Sequence, residues 1–281
     1  MRPQNRMTLP LPRITRREAL CHLSTGSLLA LGLWPGCAHA PDTHSGSFRF
    51  LVINDTHYLS PECGVWLEGV VRHMKAQPDI EFCLLAGDLT EHGQREDLAA
   101  VRDIFAGLGL PTYAVIGNHD YLAQSNQDRR AYEALFPKRL NYFFKHRGWQ
   151  FIGLDTTEGL RYEGTAIQVA TFQWLDQHLP KLDKKRPTVI FTHFPLGPDV
   201  AYRPKNADDL LDRFRPYNLQ AVFSGHFHGF TERKVGEMTL TTNRCCALKR
   251  GNHDKTVEKG YFLCTASQEK ISRSFIEYKT S

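Results

Sequence analysis

Tyr113-Ala114-Val115-Ile116 followed by Gly117-Asn118-His119-Asp120 is the stretch on which the fold turns. A short apolar run that breaks at a glycine and then delivers Asn, His and Asp in succession reads as a buried strand ending in polar head groups, and open α/β sheets bind their ligands at that end of the strand. Alone, the tetrapeptide reads equally well as a self-capping turn. The same punctuation recurs, however, in Phe50-Leu51-Val52-Ile53-Asn54 before Asp55-Thr56-His57 and in Phe82-Cys83-Leu84-Leu85-Ala86 before Gly87-Asp88. It is found again in Thr188-Val189-Ile190-Phe191-Thr192 before His193, and in Ala221-Val222-Phe223-Ser224 before Gly225-His226-Phe227-His228. Five strand ends thus deliver carboxylates, an amide and imidazoles to one place.

Between these runs lie segments with apolar residues at helical spacing: Val65–Gln77, Arg95–Leu108, Asp128–Phe136, Val169–Leu182 and a short one around Leu210–Phe214. The alternation predicts an α/β protein with a mainly parallel sheet covered by helices. After His228 the texture changes to hairpin runs, Phe230–Val235, Met238–Thr242, Tyr261–Ala266 and Ile271–Tyr278. These predict an antiparallel sheet over residues 229–281 packed beside the first, giving a two-sheet sandwich flanked by helices. No Gly-, Pro- or Ser-rich linker divides residues 41–281, which read as one domain.

The first 40 residues predict an export signal of the twin-arginine type: basic residues ending in Arg16-Arg17, then the apolar segment Leu23–Leu33, too short to span a bilayer. The protein is thus expected to be exported, periplasmic or secreted. Ala38-His39-Ala40 has the small-x-small form of a cleavage site, though Pro41 obstructs it, and Leu33–Cys37 distantly resembles a lipoprotein box. A membrane contact is expected only if Cys37 carries a lipid.

The signal also accounts for the charge. Of 35 basic and 30 acidic residues, it holds five and one, leaving 30 against 29, so no polyanion-binding surface is expected. The seven cysteines show no zinc-knuckle spacing; Cys245-Cys246 reads either as a vicinal disulfide or as two thiols on opposite faces of a strand.

Asp, Asn and His without thiolate form a ligand set suited to Mn, Fe or Zn, and seven such groups exceed what one tetrahedral ion takes. Two ions sharing a bridging carboxylate would use them all, an arrangement that grips the attacking and leaving oxygens of a phosphoryl displacement.

In residue type, order and spacing, Asp55-x-His57, Gly87-Asp88, Gly117-Asn118-His119-Asp120, His193 and Gly225-His226-x-His228 together resemble the calcineurin-like metallophosphoesterases. The variant with His57 and Gly-Asn-His-Asp is most similar to bacterial phosphodiesterases of the cyclic-nucleotide type. Leu89-Thr90-Glu91 stands where purple acid phosphatases have a Tyr, and Ile116 where protein Ser/Thr phosphatases have an Arg. The resemblance implies that Asp55, His57 and His228 hold one metal ion, that Asn118, His193 and His226 hold the other, and that Asp88 bridges them. It implies a phosphodiester or phosphomonoester hydrolase in which a metal-bridging hydroxide attacks phosphorus. His119 would then assist the leaving group, with Asp120 either orienting His119 or capping a turn. The rival readings are a non-catalytic phosphate- or metal-binding protein on the same scaffold and a nuclease.

The substrate is expected to be a small phosphate ester. Beside Asn118, the candidates to touch it are His92, on the loop after Asp88, and Arg244, Arg250 and His253. The last three surround Gly251-Asn252-His253-Asp254, which repeats the central tetrapeptide without an apolar strand before it and so reads as a loop. Composition does not name the substrate, the metals or the oligomeric state.

Overall fold

The computed structural model describes residues 46–268 and 270–280. The proposed signal and Cys37 lie outside the described residues. Two mixed sheets face one another, each covered on its outer side by helices. The first runs β11-β10-β1-β2-β3, from β1 (Phe48–Ile53), β2 (Ile80–Ala86), β3 (Thr112–Val115), β10 (Gly260–Ser267) and β11 (Lys270–Glu277). The second runs β4-β5-β6-β7-β9-β8, from β4 (Tyr142–His146), β5 (Trp149–Leu154), β6 (Thr188–Thr192), β7 (Leu219–Ser224), β8 (Thr231–Val235) and β9 (Met238–Thr242). The helices are α1 (Pro61–Lys75), α2 (Arg95–Ala106), α3 (Arg130–Leu135), α4 (Val169–His178) and α5 (Ala207–Arg213).

Strand alternation sorts the apolar residues into three cores. Along β1, Phe50 and Val52 point between the sheets, into a cluster with Phe82, Phe151, Phe191 and Phe223. Leu51 and Ile53 point outward, to Leu67, Val70 and Met74 of α1 and to Val101 and Phe105 of α2. On the far side, Ile152, Ile190 and Val222 meet Leu175 of α4 and Leu210 of α5. Phe50 shows the density between the sheets: it stacks on Phe82 at 5.1 Å and meets Phe151 edge-on at 5.4 Å. Val65, expected on the buried face of α1, is 67% exposed; two residues from Leu67, it is rotated about 200° away. Among the described residues no helix is long and apolar enough to cross a membrane.

The expectation of a separate C-terminal antiparallel sheet is corrected. The hairpin β10–β11 joins the first sheet, with β10 antiparallel to β1, while β8–β9 extends the second, with β9 parallel to β7. A hairpin has only local pairing of its own, and each of these lies against an apolar strand edge left open by the βα units; pairing there satisfies a row of backbone groups that would otherwise need water. The hairpin β4–β5 has no counterpart in the expected strands. Its turn, Arg147-Gly148, has positive φ at both residues, 42° and 82°, as a two-residue hairpin turn requires. The flanking aromatic run Tyr142-Phe143-Phe144 was the available signal.

Candidate metal centre

β1, β2, β6 and β7 are mutually parallel within their sheets, so their carboxyl ends lie at one rim of the sandwich. Beyond the strands the chain turns sharply. Asp55, His57, Asp88, His226 and His228 all have left-handed backbone, with φ of 51°, 42°, 50°, 64° and 47°. Each costs about 1–3 kcal/mol in a residue with a Cβ, and such strain clusters at functional sites. The loops hold one another through backbone bonds, Asp55 N to Gly87 O and His57 N to Asp88 O, both at 3.0 Å. Gly117 is required by close approach: a Cβ there would lie 2.1 Å from the Asp88 nitrogen and from its Oδ1.

All seven expected ligands converge and are buried. Asp55, His57, Asp88 and His228 form one group whose ligand atoms lie within 4.8 Å of one another; Asp88, His193 and His226 form a second. Asn118 joins the second through Oδ1, 3.1 Å from His193 Nε2. Asp88 belongs to both: its Oδ2 is 3.5 Å from His57 Nε2 and its Oδ1 is 3.2 Å from His193 Nε2. Across the groups' inner faces His57 Nε2 lies 3.1 Å from His228 Nε2, and His193 Nε2 lies 3.2 Å from His226 Nδ1.

The outward-facing nitrogens explain these approaches. His193 Nδ1 donates to the Ala86 carbonyl at 3.1 Å, His226 Nε2 to the Tyr162 carbonyl at 2.7 Å and His228 Nδ1 to the Gly251 carbonyl at 3.3 Å. His57 Nδ1 faces Glu91 Oε2 at 3.1 Å. Three of the four imidazoles thus donate from the far nitrogen to a carbonyl, the second sphere that fixes ring and tautomer in a metal-ligating histidine and leaves the inner nitrogen free to bind. The fourth, His57, has a carboxylate beside its far nitrogen at ion-pair distance but outside hydrogen-bond geometry. The donor set, two carboxylates, an amide oxygen and four imidazoles, fits two divalent ions of the Mn, Fe or Zn type.

The electrostatics of the metal-free cluster follow. Burial lowers the His193 pKa, but the Asp88 carboxylate more than offsets it and holds it at about 9. His228, buried likewise, is lifted to about 11 by Asp55. His226, buried beside cationic His193, is pushed down to about 3, and burial also lowers His57. Asp55 and Asp88 stay well below the usual carboxylate range because the charges of His228 and His193 outweigh the cost of burial.

His119 stands on the turn Asn118–Asp120 with its amide bonded to Asp88 Oδ1 at 2.8 Å and its Nδ1 donating to the Glu91 carbonyl at 2.9 Å. Its ring borders a cleft of about 380 Å³ lined also by His57, Asp88, Asn118, Tyr162, Tyr202, Arg250 and His253.

Of the two roles expected for it, Asp120 makes the contacts of the turn cap and not those of a partner to His119. It is fully buried, with Oδ2 accepting from Gly117 N at 2.8 Å and Oδ1 from Thr90 N at 3.0 Å. It holds the turn and the neighbouring loop, and the carboxylate nearest His119 Nδ1 is that of Glu91, at 3.7 Å.

The expected substrate contacts divide. Asn118, Arg250 and His253 line the cleft; His253 also packs its ring 5.1 Å from that of His228. Arg244 turns away, bonding Thr256 at 2.9 Å and lying over the Phe275 ring in a separate hollow. His92 is exposed and does not line the cleft. The second tetrapeptide is a loop, as expected: Asn252 accepts from Cys245 N at 3.0 Å and Asp254 from Phe230 N at 3.0 Å. Cys245 and Cys246 are both free thiols, so the vicinal disulfide is not formed.

Glu91, Tyr162 and Tyr202 were missed. Glu91 sits three residues after Asp88, a spacing that carries no signal without its contacts to His57 and Arg250, and the two tyrosines come from loops of unmarked composition.

A family model described as calcineurin-like phosphoesterase matches residues 48–230. A probable cyclic nucleotide phosphodiesterase of Synechococcus sp. is 32% identical over 156 residues, covering 53% of this chain and 58% of that protein. A probable glycerophosphodiester phosphodiesterase of Arcobacter nitrofigilis is 26% identical over 198 residues, covering 66% of this chain and 69% of that protein. Among solved structures, a purple acid phosphatase from seeds of yellow lupin (Lupinus luteus) superposes with a TM-score of 0.60 at 13% identity, covering 83% of this chain and 52% of that one, a likeness of fold. The chain therefore spans a little over half the length of the Synechococcus and lupin proteins.

Proposed function

The chain belongs to the calcineurin-like phosphoesterase family, and we propose that it is an exported hydrolase of small phosphodiesters that works with two divalent metal ions. The observation that carries this reading is the division of the Asp88 carboxylate between two sets of imidazoles, three of them bonded to a carbonyl through the outer nitrogen and His57 with the Glu91 carboxylate beside its own. Asp55, His57 and His228 would hold one ion, Asn118, His193 and His226 the other, and Asp88 both. When bound, the ions supply Lewis-acid chemistry, polarising a phosphoryl oxygen and making water a nucleophile at neutral pH.

The chain's own part is to position and to move a proton. His119 donates through Nδ1 to the Glu91 carbonyl; as the imidazolium it would carry a second proton on Nε2 and pass that proton to the departing ester oxygen as the bond breaks, leaving the ring neutral. Asn118, next to it, lines the cleft, and its amide oxygen would also serve the second ion. Tyr162, Tyr202 and His253 wall the cleft, so that water is partly displaced when an ester enters and the charges within act at lower dielectric. Diesters are favoured over monoesters by the likeness to the Synechococcus and Arcobacter proteins, both named as probable phosphodiesterases. Export rests on the twin-arginine pattern of residues 1–40; cell fractionation with intact-mass measurement of the mature N-terminus tests it, and a cytoplasmic, unprocessed product overturns it.

The catalytic reading is tested on residues 41–281, stripped of metal, reloaded with Mn²⁺, Zn²⁺ or Fe²⁺ and offered bis-p-nitrophenyl phosphate beside p-nitrophenyl phosphate. Metal-dependent turnover of the diester, reduced at least about 100-fold in Asp88→Asn, is expected. Turnover of the monoester alone makes it a phosphatase, and no turnover of either with both ions bound removes the hydrolase reading.

A further inference from the structure

The segment Lys249–Asp254 lies beyond residues 48–230, the part of the chain that the family model matches. We infer that Arg250 is a positioning residue for the half of the centre formed by Asp55, His57 and His228, acting through Glu91 and not on the substrate. The inference rests on the two-metal reading above.

Four contacts carry it. Arg250 grips both oxygens of Glu91, through Nε at 3.0 Å to Oε2 and through Nη2 to Oε1. The same Oε2 lies 3.1 Å from His57 Nδ1, an ion-pair contact outside hydrogen-bond geometry, and that nitrogen has no hydrogen-bond partner among the described residues. The next residue, Gly251, offers its carbonyl to His228 Nδ1 at 3.3 Å, and His253 N donates to the His228 carbonyl at 2.9 Å. One short stretch of loop therefore orients both imidazoles of one half-site, His228 directly and His57 through a carboxylate. The other half-site takes its orientation from elsewhere, from the carbonyls of Ala86 and Tyr162.

A planar guanidinium bonded to both carboxylate oxygens fixes the carboxylate in plane and position, which a lysine cannot do. Glu91 is thereby held against His57, where it sets the ring and strengthens the inner nitrogen as a donor. The fork of Arg250 is thus already engaged, although the side chain borders the cleft and reads from sequence as a hand for a second anionic group.

Titration of the metal-stripped protein with Mn²⁺, followed by calorimetry and by electron paramagnetic resonance of the free ion, tests the inference. The wild type is expected to bind two equivalents. Glu91→Gln, which keeps shape and removes charge, is expected to weaken one of them about 10–100-fold and leave the other unchanged. Arg250→Met is expected to weaken the same one, and the double variant to bind no more weakly than Glu91→Gln alone, because Arg250 acts through Glu91. At saturating Mn²⁺ the Michaelis constant of Arg250→Met for a diester stays within about twofold of wild type, whereas loss of uniform substrate binding would raise it. Wild-type affinity for both ions in Arg250→Met, or additive losses in the double variant, overturns the inference and leaves the two-metal reading standing. A wild type that binds no Mn²⁺ overturns both. Melting curves of the metal-free variants separate these outcomes from misfolding, since Glu91→Gln is isosteric.

Discussion

A methyl group placed on Gly117 would sit 2.1 Å from the amide nitrogen and 2.1 Å from Oδ1 of Asp88. The end of β3 and the end of β2 approach so closely that only hydrogen fits between them, and this approach is what brings Asn118 and the His119 amide to the Asp88 carboxylate. Gly117→Ala meets backbone, which cannot give as a flexible side chain would. It is expected to destabilise the fold by about 1–3 kcal/mol and to reduce metal binding by displacing Asp88. Denaturant melts and metal content after dialysis check this; an unchanged metal stoichiometry would mean that the two loops can separate without harm.

Loading of the metal-free protein is expected to release protons. At pH 7 His193, with a pKa of about 9, and His228, at about 11, both carry the proton that a metal must displace. Apparent affinity should rise with pH between 7 and 9, roughly tenfold per unit for each proton released. Calorimetry in buffers of different ionisation enthalpy counts the protons. The sign for stability is the opposite: a raised imidazole pKa stabilises the metal-free fold below about 6.5, the ordinary value, and that contribution is lost as pH rises through 9. The metal-free protein should therefore melt lower at pH 9 than at pH 6.5.

His119→Ala is expected to keep both ions, because none of the inner ligand contacts runs through its side chain, and to lose rate in proportion to the need for leaving-group assistance. For an alkyl diester the loss should reach about 10²–10⁴-fold; for a p-nitrophenyl ester, whose leaving group departs unaided, it should be much smaller. An equal loss for both esters would deny His119 the proposed role.

Asp120→Ala separates stability from catalysis. The substitution orphans two buried amides, Thr90 N and Gly117 N, each worth about 1–3 kcal/mol when left unsatisfied. Melting should suffer, while the rate at saturating metal, in the fraction still folded, should fall far less than in His119→Ala. Equal losses in the two variants would return Asp120 to the chemistry.

The ligand set and the fold class could be read from the chain because both depend on local chemistry repeated at strand ends. A short apolar run that stops at Asp55, Gly87-Asp88, Gly117-Asn118, His193 or Gly225-His226 announces a buried strand and a polar terminus within six or seven residues. Five such announcements leave few architectures. The helix spacing of Leu67, Val70 and Met74 was equally local, and these residues are buried where expected.

What lay beyond the sequence was every choice between partners that no local pattern distinguishes. β8–β9 and β10–β11 carry the same hairpin texture, yet they close different sheets, because an open strand edge is a property of the assembled core and not of the hairpin. Arg244 and Arg250 are six residues apart in one loop and were equal candidates for the cleft, but only Arg250 reaches it, and Glu91 engages its charge there. Asp120 adjoins His119 in sequence, while the turn sends its carboxylate inward to Thr90 and Gly117. Composition and spacing determined which chemistry the chain could assemble; the packing of strand ends against one another decided which side chains take part, since hydrogen bonds and ion pairs act over about 3 Å in space whatever the separation along the chain.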